Sequence, residues 1–291
     1  MSKRKGIILA GGSATRLYPI TLSVSKQLMP VYDKPLIYYS LSCLMLAKIR
    51  EILIISTERD IIHFKELLGD GSKWGLSIDY HIQYSPDGIA QAMILAENFL
   101  NNDPSVLILG DNLFYGNNLA SRLENANNKS GATIFVHQVK NPQDYGVAVF
   151  DNQGIATNLV EKPNSNLSNW AVTGLYFYDC NAPKYAKELK PSKRGELEIT
   201  DLNFRYLTEN NLNVETLGRG YSWLDTGTHD NLLEASNFIS TIQRRQGHMI
   251  CSPEEIAYRN NWINDEDLIE LSESLKKTDY GKYLLSIISN K

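Results

Sequence analysis

The chain has 291 residues, of which 43% are hydrophobic, and its formal net charge is -4. This length suits one large α/β domain, or one domain with an appended part. The acidic balance excludes a general positive field for polyanions, so we expect neither a nucleic-acid partner nor a membrane partner. No stretch reaches the roughly 20 apolar residues of a membrane span, and the apolar run behind the basic start is too short for a secretory signal.

Three cysteines, Cys43, Cys180 and Cys251, lie far apart without metal-ligand or redox spacing. Their pattern predicts core thiols in a reducing compartment. We therefore expect a cytoplasmic protein.

Short apolar runs alternate with longer amphipathic stretches in the first half of the chain. The runs 6–9, 52–56, 78–83 and 106–109 are predicted strands, and the stretches 36–49, 61–68 and 89–100 are predicted helices. This alternation predicts an α/β, Rossmann-like, mainly parallel sheet with helices on both faces. Ligands then belong at the carboxyl ends of the strands.

The pattern changes near residue 132, where β-rich runs follow one another closely. The runs 133–139, 147–150, 155–160 and 172–178 predict an antiparallel β insertion over the edge where ligands bind. A helical pattern begins near His229 and continues through Gln246. Short C-terminal helices are predicted from residue 252 to residue 291.

The loop after the first strand reads LAGGSATRLYPIT from residue 9 to residue 21. Gly11 and Gly12 leave room for a phosphate close to the backbone, while Thr15, Arg16 and the later Lys26 supply a hydroxyl group and two cations. The loop therefore predicts a nucleoside triphosphate substrate.

Two commoner nucleotide motifs do not fit this loop. Ala14 and Leu17 stand where a dinucleotide fingerprint counted from Gly12 needs glycines, and the spacing of a P-loop is absent. An ordinary strand-to-helix turn is the alternative. The presence of Arg16 and Lys26 in register with the glycines favours the phosphate loop.

Two aspartates follow apolar runs that are predicted to end near the same edge. Asp111 follows the run 106–109, and Asp225 lies in the segment Trp-Leu-Asp-Thr-Gly. Each alone could be a helix N-cap, which is a common role for aspartate. A triphosphate requires magnesium, which takes one or two protein carboxylates, so together the aspartates predict a metal pair.

Two further segments offer groups for a base and a sugar phosphate. Gln83 begins a turn that ends at Gly88, and its amide could recognise the edge of a base, with a plain turn as the alternative. Glu161 could accept bonds from sugar hydroxyl groups while Lys162 binds a phosphate. A solvated surface pair is the alternative for these two residues, and spacing alone does not choose.

In this order, the motifs closely resemble the sugar-nucleotide pyrophosphorylases, and among them the glucose-1-phosphate thymidylyltransferases. The resemblance covers essentially the whole chain. Its segments are the loop at residues 9–21, Lys-Gln-Leu-Met-Pro at 26–30, 83–88, Gly-Asp-Asn at 110–112, Tyr-Gly-Val at 145–147, Glu-Lys-Pro at 161–163, 171–174, 194–201 and 223–227.

The resemblance implies a magnesium-dependent nucleotidyltransferase that joins dTTP and glucose 1-phosphate to give dTDP-glucose and pyrophosphate. It implies catalytic roles for Arg16, Lys26, Lys162, Asp111 and Asp225, with the two aspartates on Mg²⁺. The implied nucleotide-binding residues are Gly11, Gly12, Thr15, Arg16, Lys26, Gln83, Gly88 and Asp111. The implied sugar-phosphate-binding residues are Asn112, Gly146, Glu161, Lys162, Val172 and Arg194.

The resemblance also implies an allosteric homotetramer that acts in dTDP-rhamnose synthesis for lipopolysaccharide O-antigen. An implied regulatory nucleotide site between subunits consists of Gly116, Arg219, Glu255 and Arg259. We expect a nucleotidyltransferase core at residues 1–240, with its sugar-binding β-rich part at about 132–225. Residues 241–291 form the expected helical segment for oligomer or regulatory contacts.

Two alternatives stay open. One is a pyrophosphorylase for UTP and glucose 1-phosphate, because thymine and uracil differ by a single methyl group. The other is a catalytically silent nucleotide-sensing subunit on the same fold, which the presence of all four of Arg16, Lys26, Asp111 and Asp225 disfavours. One departure from the family is Ala14, where the loop usually has glycine.

Overall fold

The computed structural model of the protein describes residues 4–12 and 14–289. Its strands are β1 (Lys5–Ala10), β2 (Pro30–Val31), β3 (Lys34–Pro35), β4 (Glu51–Ser56), β5 (Ser77–Ile82), β6 (Ser105–Leu109), β7 (Asn112–Gly116), β8 (Ala132–Gln138), β9 (Gly146–Phe150), β10 (Ala156–Glu161), β11 (Trp170–Tyr178), β12 (Leu212–Leu217) and β13 (Tyr221–Asp225). Its α-helices are α1 (Ile37–Leu46), α2 (Ile61–Leu68), α3 (Gln91–Leu95), α4 (Glu97–Leu100), α5 (Leu119–Asn127), α6 (Ala182–Glu188), α7 (Ile199–Thr208), α8 (His229–Gln246), α9 (Pro253–Arg259), α10 (Asp265–Glu273) and α11 (Asp279–Ser289). Short 3₁₀ helices include Thr15–Leu17 and Lys26–Leu28.

The centre of the main sheet is parallel. Strands β6, β1, β4 and β5 lie side by side in that order. Successive side chains of a strand point to opposite faces, so Ile7 and Ile8 of β1 enter two different apolar clusters, and both are fully buried. Apolar side chains therefore cover the sheet on both faces, and the predicted fold class is confirmed.

The β-rich segment extends this sheet. Strand β11 pairs antiparallel with β6 along one edge and with β8 along the other, and β12 joins β8 in parallel. The four predicted runs of this segment correspond to β8, β9, β10 and β11, which pair antiparallel as expected, and β12 adds a parallel strand outside those runs. Its pairing to β8 is a long-range contact that the local pattern does not encode.

The hairpin of β9 and β10 stands over the ligand-binding edge, as expected. Strand β11 is nine residues long, and only its second half pairs with β6, from Leu175 to Tyr178. Its first half is left to pair with β9, through Ala171 and Val147. The hairpin therefore lies beyond the carboxyl end of β6.

A two-stranded ribbon follows β6 at the same edge. Strands β7 and β13 pair antiparallel, with Asp225 opposite Asn112 and Tyr221 opposite Gly116. The ribbon thus has one end at the predicted metal site and the other at a predicted regulatory residue.

The C-terminal helices α9, α10 and α11 contact one another, and α9 packs on α1. Helix α8 runs without a break through residue 240, so the proposed domain boundary lies inside a continuous helix. Cys43 is buried, but Cys180 is exposed, so the expectation of a core thiol is wrong for Cys180. Within the described ranges, no helix is both long enough and apolar enough to cross a membrane.

Candidate active site

The phosphate loop leaves β1 and turns through two left-handed residues. Gly12 has φ 96° and Ala14 has φ 44° and ψ 43°. Ala14 therefore adopts a left-handed conformation, which costs roughly 1 to 2 kcal/mol for a residue with a Cβ and explains why glycine is usual at this position. A Cβ at Gly11 would collide with the side-chain oxygen of Gln83. The loop and the predicted base-recognition residue therefore touch.

Lys26 lies between the two predicted metal ligands. Its Nζ donates a hydrogen bond of 2.7 Å to Asp111 Oδ2 and lies 3.9 Å from Asp225 Oδ1. The lysine side chain is only 6% exposed. The two carboxylates, which are far apart in sequence, therefore share one cleft around a buried cation.

The pKa values of the two carboxyl groups are shifted in opposite directions. Burial raises the pKa of Asp225, and the negative charge of Asp111 raises it further. Burial alone would also raise the pKa of Asp111, but the charge and hydrogen bond of Lys26 and the amide of Asn112 outweigh it, so that pKa is lowered. Asp225 is the carboxylate that most needs an additional positive charge.

The N-cap alternative for Asp225 is wrong. Helix α8 is capped by Thr228, whose side chain accepts a hydrogen bond from the backbone N–H of Asn231. The side chain of Asp225 instead lies in the cleft beside Arg16. Both side chains approach Gly227, where a Cβ would lie 3.0 Å from Arg16 Nη2 and 3.2 Å from Asp225 Oδ1. Arg16 therefore brings its charge to the carboxylate pair.

The carboxylate pair fits a magnesium ion that is completed by substrate. Among the described residues, no cluster of three Asp, Glu, His or Cys side chains could hold a metal by itself. Mg²⁺ usually takes one or two carboxylates, with phosphate oxygens and water in the remaining positions. Asp111 and Asp225, which both approach Lys26 Nζ, supply the two carboxylates of such a site.

A cavity of about 200 Å³ lies next to this pair. It brings together every predicted sugar-phosphate residue and four of the five predicted catalytic residues. The lining includes Arg16, Asp111, Asn112, Gly146, Glu161, Lys162, Val172, Arg194 and Asp225.

Glu161 is oriented toward this cavity by two partners. Its Oε2 accepts a hydrogen bond of 2.5 Å from Thr200, and its Oε1 lies 3.3 Å from Arg194 Nη2. A Cβ at Gly146 would lie 2.7 Å from Thr200 Oγ1 and 3.1 Å from Glu161 Oε2, so only glycine keeps this wall open. The arrangement differs from a solvated Glu-Lys surface pair, because Glu161 contacts neighbours across the cavity.

Asn112 is committed to holding the site together. Its Nδ2 donates to Asp111 Oδ1 at 2.8 Å, and its Oδ1 accepts from the indole of Trp223 at 2.6 Å and from the backbone of Gly174 at 3.1 Å. The side chain is buried. Asn112 therefore orients Asp111, in addition to lining the cavity.

Several residues that line the cavity were not among the site residues predicted from the sequence. Tyr145 packs on Trp223 with ring centroids 5.0 Å apart, and burial, followed by the charge of Asp225, raises the pKa of Tyr145 to about 12. Tyr176 and Thr200 also belong to the lining. Tyr145 and Trp223 each lie within two residues of a predicted site residue, which was the available signal.

A second cavity of about 440 Å³ lies on the other side of the loop. Gly12 and Gln83 line it together with Tyr18, Arg59 and Tyr84. Gln83 is held by a hydrogen bond of 2.6 Å from its Nε2 to Gln91.

Six of the eight predicted nucleotide-binding residues lie outside the lining of this cavity. Arg16 and Asp111 line the first cavity instead. The backbone of Gly88 instead contacts that of Leu197, where a Cβ would not fit. Thr15 is exposed at the start of its 3₁₀ helix.

Comparison with known proteins identifies the family. The family model described as nucleotidyl transferase matches residues 5–242. A Xanthomonas campestris glucose-1-phosphate thymidylyltransferase is 58% identical over 288 residues, covering 99% of this chain and 98% of the relative. The chain belongs to the glucose-1-phosphate thymidylyltransferase family. Glucose-1-phosphate thymidylyltransferases of Neisseria meningitidis and Mycobacterium tuberculosis are 56% and 51% identical, each covering 98% of this chain and 99% of the relative.

Solved structures of similar proteins agree with this assignment. A Bacillus anthracis protein described as a glucose-1-phosphate thymidylyltransferase, crystallised with sucrose, has a TM-score of 0.75 at 42% identity, over 81% of this chain and 94% of that one. A UDP-glucose pyrophosphorylase bound to UDP-glucose has a TM-score of 0.72 at 24% identity, over 82% of this chain and 99% of that one, and this likeness concerns the fold alone.

A third cavity, of about 360 Å³, lies away from Asp111 and Asp225 in this thymidylyltransferase family member. Three of the four predicted regulatory residues, Gly116, Glu255 and Arg259, line it. Arg219 is exposed in the connection between β12 and β13 and is not part of that lining. Arg259 Nε donates a hydrogen bond of 2.7 Å to Glu255 Oε1.

Proposed function

We propose that the protein transfers the thymidylyl group of dTTP to glucose 1-phosphate, releasing pyrophosphate and forming dTDP-glucose. The observation that carries this proposal is the Lys26-bridged pair of Asp111 and Asp225, which opens into a cavity lined by the predicted sugar-phosphate residues. The names of the relatives support the choice of both substrates.

The reaction is an in-line displacement at the α-phosphorus. A phosphate oxygen of glucose 1-phosphate attacks, and pyrophosphate leaves on the opposite side. A phosphate monoester has a second pKa near ~6, so it is largely dianionic at neutral pH and needs no general base.

The main physical obstacle is repulsion between two polyanions. One like-charge pair at ~4 Å costs about 4 kcal/mol at an effective dielectric constant of 20, and several such pairs meet here. We assign Arg16 to the charge that grows on pyrophosphate, Lys26 to the triphosphate and Lys162 to the attacking phosphate.

Enzymes of this family generally need a divalent metal. We propose Mg²⁺ held by Asp111 and Asp225, where it would supply Lewis acidity and a template for the phosphoryl oxygens. Asn112 keeps the carboxylate of Asp111 turned into the cleft, and Lys26 limits the repulsion between the two carboxylates.

We assign each substrate to a different cavity. We assign glucose 1-phosphate to the cavity with Asn112, Gly146, Glu161, Lys162, Val172 and Arg194. We assign dTTP to the side with Gly11, Gly12, Thr15, Gln83 and Gly88. Because Gln83 contacts the loop at Gly11, the base and the phosphates would be held by connected parts of the chain.

One experiment tests the substrates and the metal together. Pyrophosphate release is measured for a grid of nucleoside triphosphates and sugar 1-phosphates, with Mg²⁺ and with EDTA. We expect dTTP with glucose 1-phosphate to lead and EDTA to abolish release. Some use of UTP is expected, since one methyl group contributes only about 1 to 3 kcal/mol of discrimination. A lead for UTP would support the alternative pyrophosphorylase, and no release with any pair would support the silent subunit.

We propose a regulatory nucleotide site at the third cavity, formed by Gly116, Glu255 and Arg259, and we keep Arg219, which lies outside that lining, as a further candidate. Arg259→Ala should weaken inhibition by dTDP-sugars while leaving kcat unchanged, and unchanged inhibition would refute the site. We further propose residues 1–240 as the catalytic core and 241–291 as the segment for oligomer contacts. We also propose that the protein is a homotetramer, which light scattering would detect. We propose that it acts in the cytoplasm, in dTDP-rhamnose and O-antigen synthesis.

A further inference from the structure

Arg194 is surrounded by three carboxylates, and one of them holds it more firmly than the others. Its Nη2 lies 2.9 Å from both oxygens of Glu198, and its Nε lies 3.3 Å from Oε1 of the same residue. The contacts with Glu161 and Glu196 are single and longer, at 3.3 Å and 3.4 Å. Glu198 therefore holds two nitrogen atoms of the guanidinium group.

Glu198 is also the most buried of these carboxylates. Its side chain is 8% exposed, compared with 24% for Glu161 and 43% for Glu196. A buried carboxylate requires partners, and Glu198 accepts a further hydrogen bond of 2.7 Å from Ser192 Oγ. This set of contacts is charge-assisted and fixed in direction.

The position of Glu198 in the sequence makes this choice of partners notable. It is the N-cap residue of α7, a position where a short polar side chain such as Asp or Ser commonly accepts a hydrogen bond from the first turn of the helix. The side chain of Glu198 makes no such bond. Its oxygens point to Arg194 and Ser192 instead, so helix capping does not explain the carboxylate.

The backbone beside Glu198 is clamped to a second segment of the site. Leu197 N–H donates to the Asp87 carbonyl at 2.6 Å, and Ala90 N–H donates to the Leu197 carbonyl at 3.1 Å. The absence of a Cβ at Gly88 permits this close approach. Arg194 itself lies in a turn with its side chain 40% exposed, so its orientation depends on the clamped anchor.

We infer that Glu198 is a positioning residue that orients Arg194 toward the phosphate of the sugar substrate. This inference rests on the proposed function, in which Arg194 binds glucose 1-phosphate. Glu198 occupies Nε and Nη2, and within the described part of the chain Nη1 has no hydrogen-bond partner and remains for a phosphate oxygen. Without the charge of Glu198, Arg194 would turn to Glu161, which is needed for the sugar hydroxyl groups.

The test is steady-state kinetics of Glu198→Gln with each substrate varied separately. We expect the KM for glucose 1-phosphate to rise roughly 10-fold, as for the loss of a charge-assisted hydrogen bond, while the KM for dTTP and kcat each change less than about 3-fold. A merely structural role would alter the melting temperature and both KM values together.

The matched control is Glu209→Gln. Glu209 pairs with Arg205 at 2.6 Å with the same i,i+4 spacing, but both side chains are exposed at the other end of α7. All kinetic constants of this variant should equal those of the wild type. A double-mutant cycle adds a second readout: with Arg194→Ala already present, Glu198→Gln should cause no further rise in the KM for glucose 1-phosphate.

The outcomes separate this inference from the proposed function. A wild-type protein that forms no dTDP-glucose refutes the proposed function. An active wild type combined with an unchanged KM in Glu198→Gln, or a further rise in the double variant, refutes the positioning role alone. If Glu198→Gln does not fold, Ser192→Ala, which removes the other contact of Glu198, must raise the same KM about 3-fold. An unchanged KM in Ser192→Ala would then refute the inference.

Discussion

Lys26 Nζ lies 2.7 Å from Asp111 Oδ2, and the same ammonium group is 3.9 Å from Asp225. Before any substrate binds, this single buried cation therefore compensates two carboxylates at the carboxyl edge of the sheet. One positive charge does not neutralise two negative ones. Burial, followed by the negative charge of Asp111, raises the pKa of Asp225, and a divalent metal would relieve both effects.

Lys26→Met should destabilise the apo protein and make its stability dependent on Mg²⁺. Removing the cation leaves two partly buried carboxylates facing each other, at a cost of about 3 kcal/mol. This value is at the lower end of the usual range, because Asp111 keeps 26% of its side chain exposed. Urea unfolding should show the loss, and Mg²⁺ should restore part of it.

The control for this experiment is Lys276→Met. Lys276 pairs with Glu273 at 2.7 Å, but both side chains are more than half exposed. Its unfolding free energy should change by no more than about 0.5 kcal/mol, and Mg²⁺ should have no effect on it. If Mg²⁺ fails to stabilise Lys26→Met beyond this control, the aspartate pair is not the metal site.

Asp225→Asn should stabilise the metal-free protein at neutral pH. The folded-state pKa of Asp225 is raised, so between its unfolded value and its raised value the native state binds more protons than the unfolded state. Stability contributed by this group is therefore lost as pH rises through that window. The stability advantage of Asp225→Asn over the wild type should therefore grow as pH rises from about 4, the unfolded carboxyl pKa, through the raised pKa of Asp225.

Thermal melts across this pH range, in the presence of EDTA, measure the effect. Mg²⁺ should reverse the order of the two proteins, because only the wild type keeps both carboxylates. If the difference in melting temperature between Asp225→Asn and the wild type is the same at all pH values, the charge of Asp225 is not the cause of the stability change.

Arg16→Ala should lower kcat at least ~100-fold if Arg16 stabilises charge that develops in the transition state. The guanidinium group lies beside Asp225 and lines the sugar-phosphate cavity, so it faces the place where the two substrates meet. Rates of pyrophosphate release at saturating substrates give kcat directly. A turnover close to that of the wild type would remove Arg16 from the catalytic residues.

The sequence predicted best those elements whose pattern is local. The predicted strand at 52–56 is the observed β4 without its first residue, and the predicted helix at 61–68 is the observed α2. The ribbon of β7 and β13 was missed, because its strands have five residues each and pair with one another across the chain. Short strands in distant pairs leave little local signal.

The same distinction between local and long-range signals applies to the candidate site. Position at the end of an apolar run predicted that Asp111 and Asp225 share one cleft. Asp225 reaches that cleft through the ribbon, in which it lies opposite Asn112, and not as the end of a strand in the main sheet. The bridging role of Lys26 was not predictable, because it lies 85 residues before Asp111 and its partner is chosen by tertiary packing. The contact between Glu198 and Arg194 was not predictable either, because it depends on tertiary packing, in which the backbone of Leu197 is hydrogen-bonded to Asp87.

Ala14→Gly should leave dTTP binding unchanged or improve it. Ala14 adopts a left-handed conformation that glycine accepts without strain, and its carbonyl accepts hydrogen bonds of 2.9 Å from both Leu17 N–H and Thr21 Oγ1. Relief of about 1 kcal/mol of strain is partly offset by the greater freedom of glycine in the unfolded chain. The melting temperature should therefore change little, while the KM for dTTP stays equal or falls. Ala14→Val is the opposing variant, because a β-branched side chain is least tolerated at positive φ. It should raise the KM for dTTP and lower the melting temperature.

A large rise in the KM for dTTP in the glycine variant would mean that the methyl group of Ala14 itself supports the triphosphate loop.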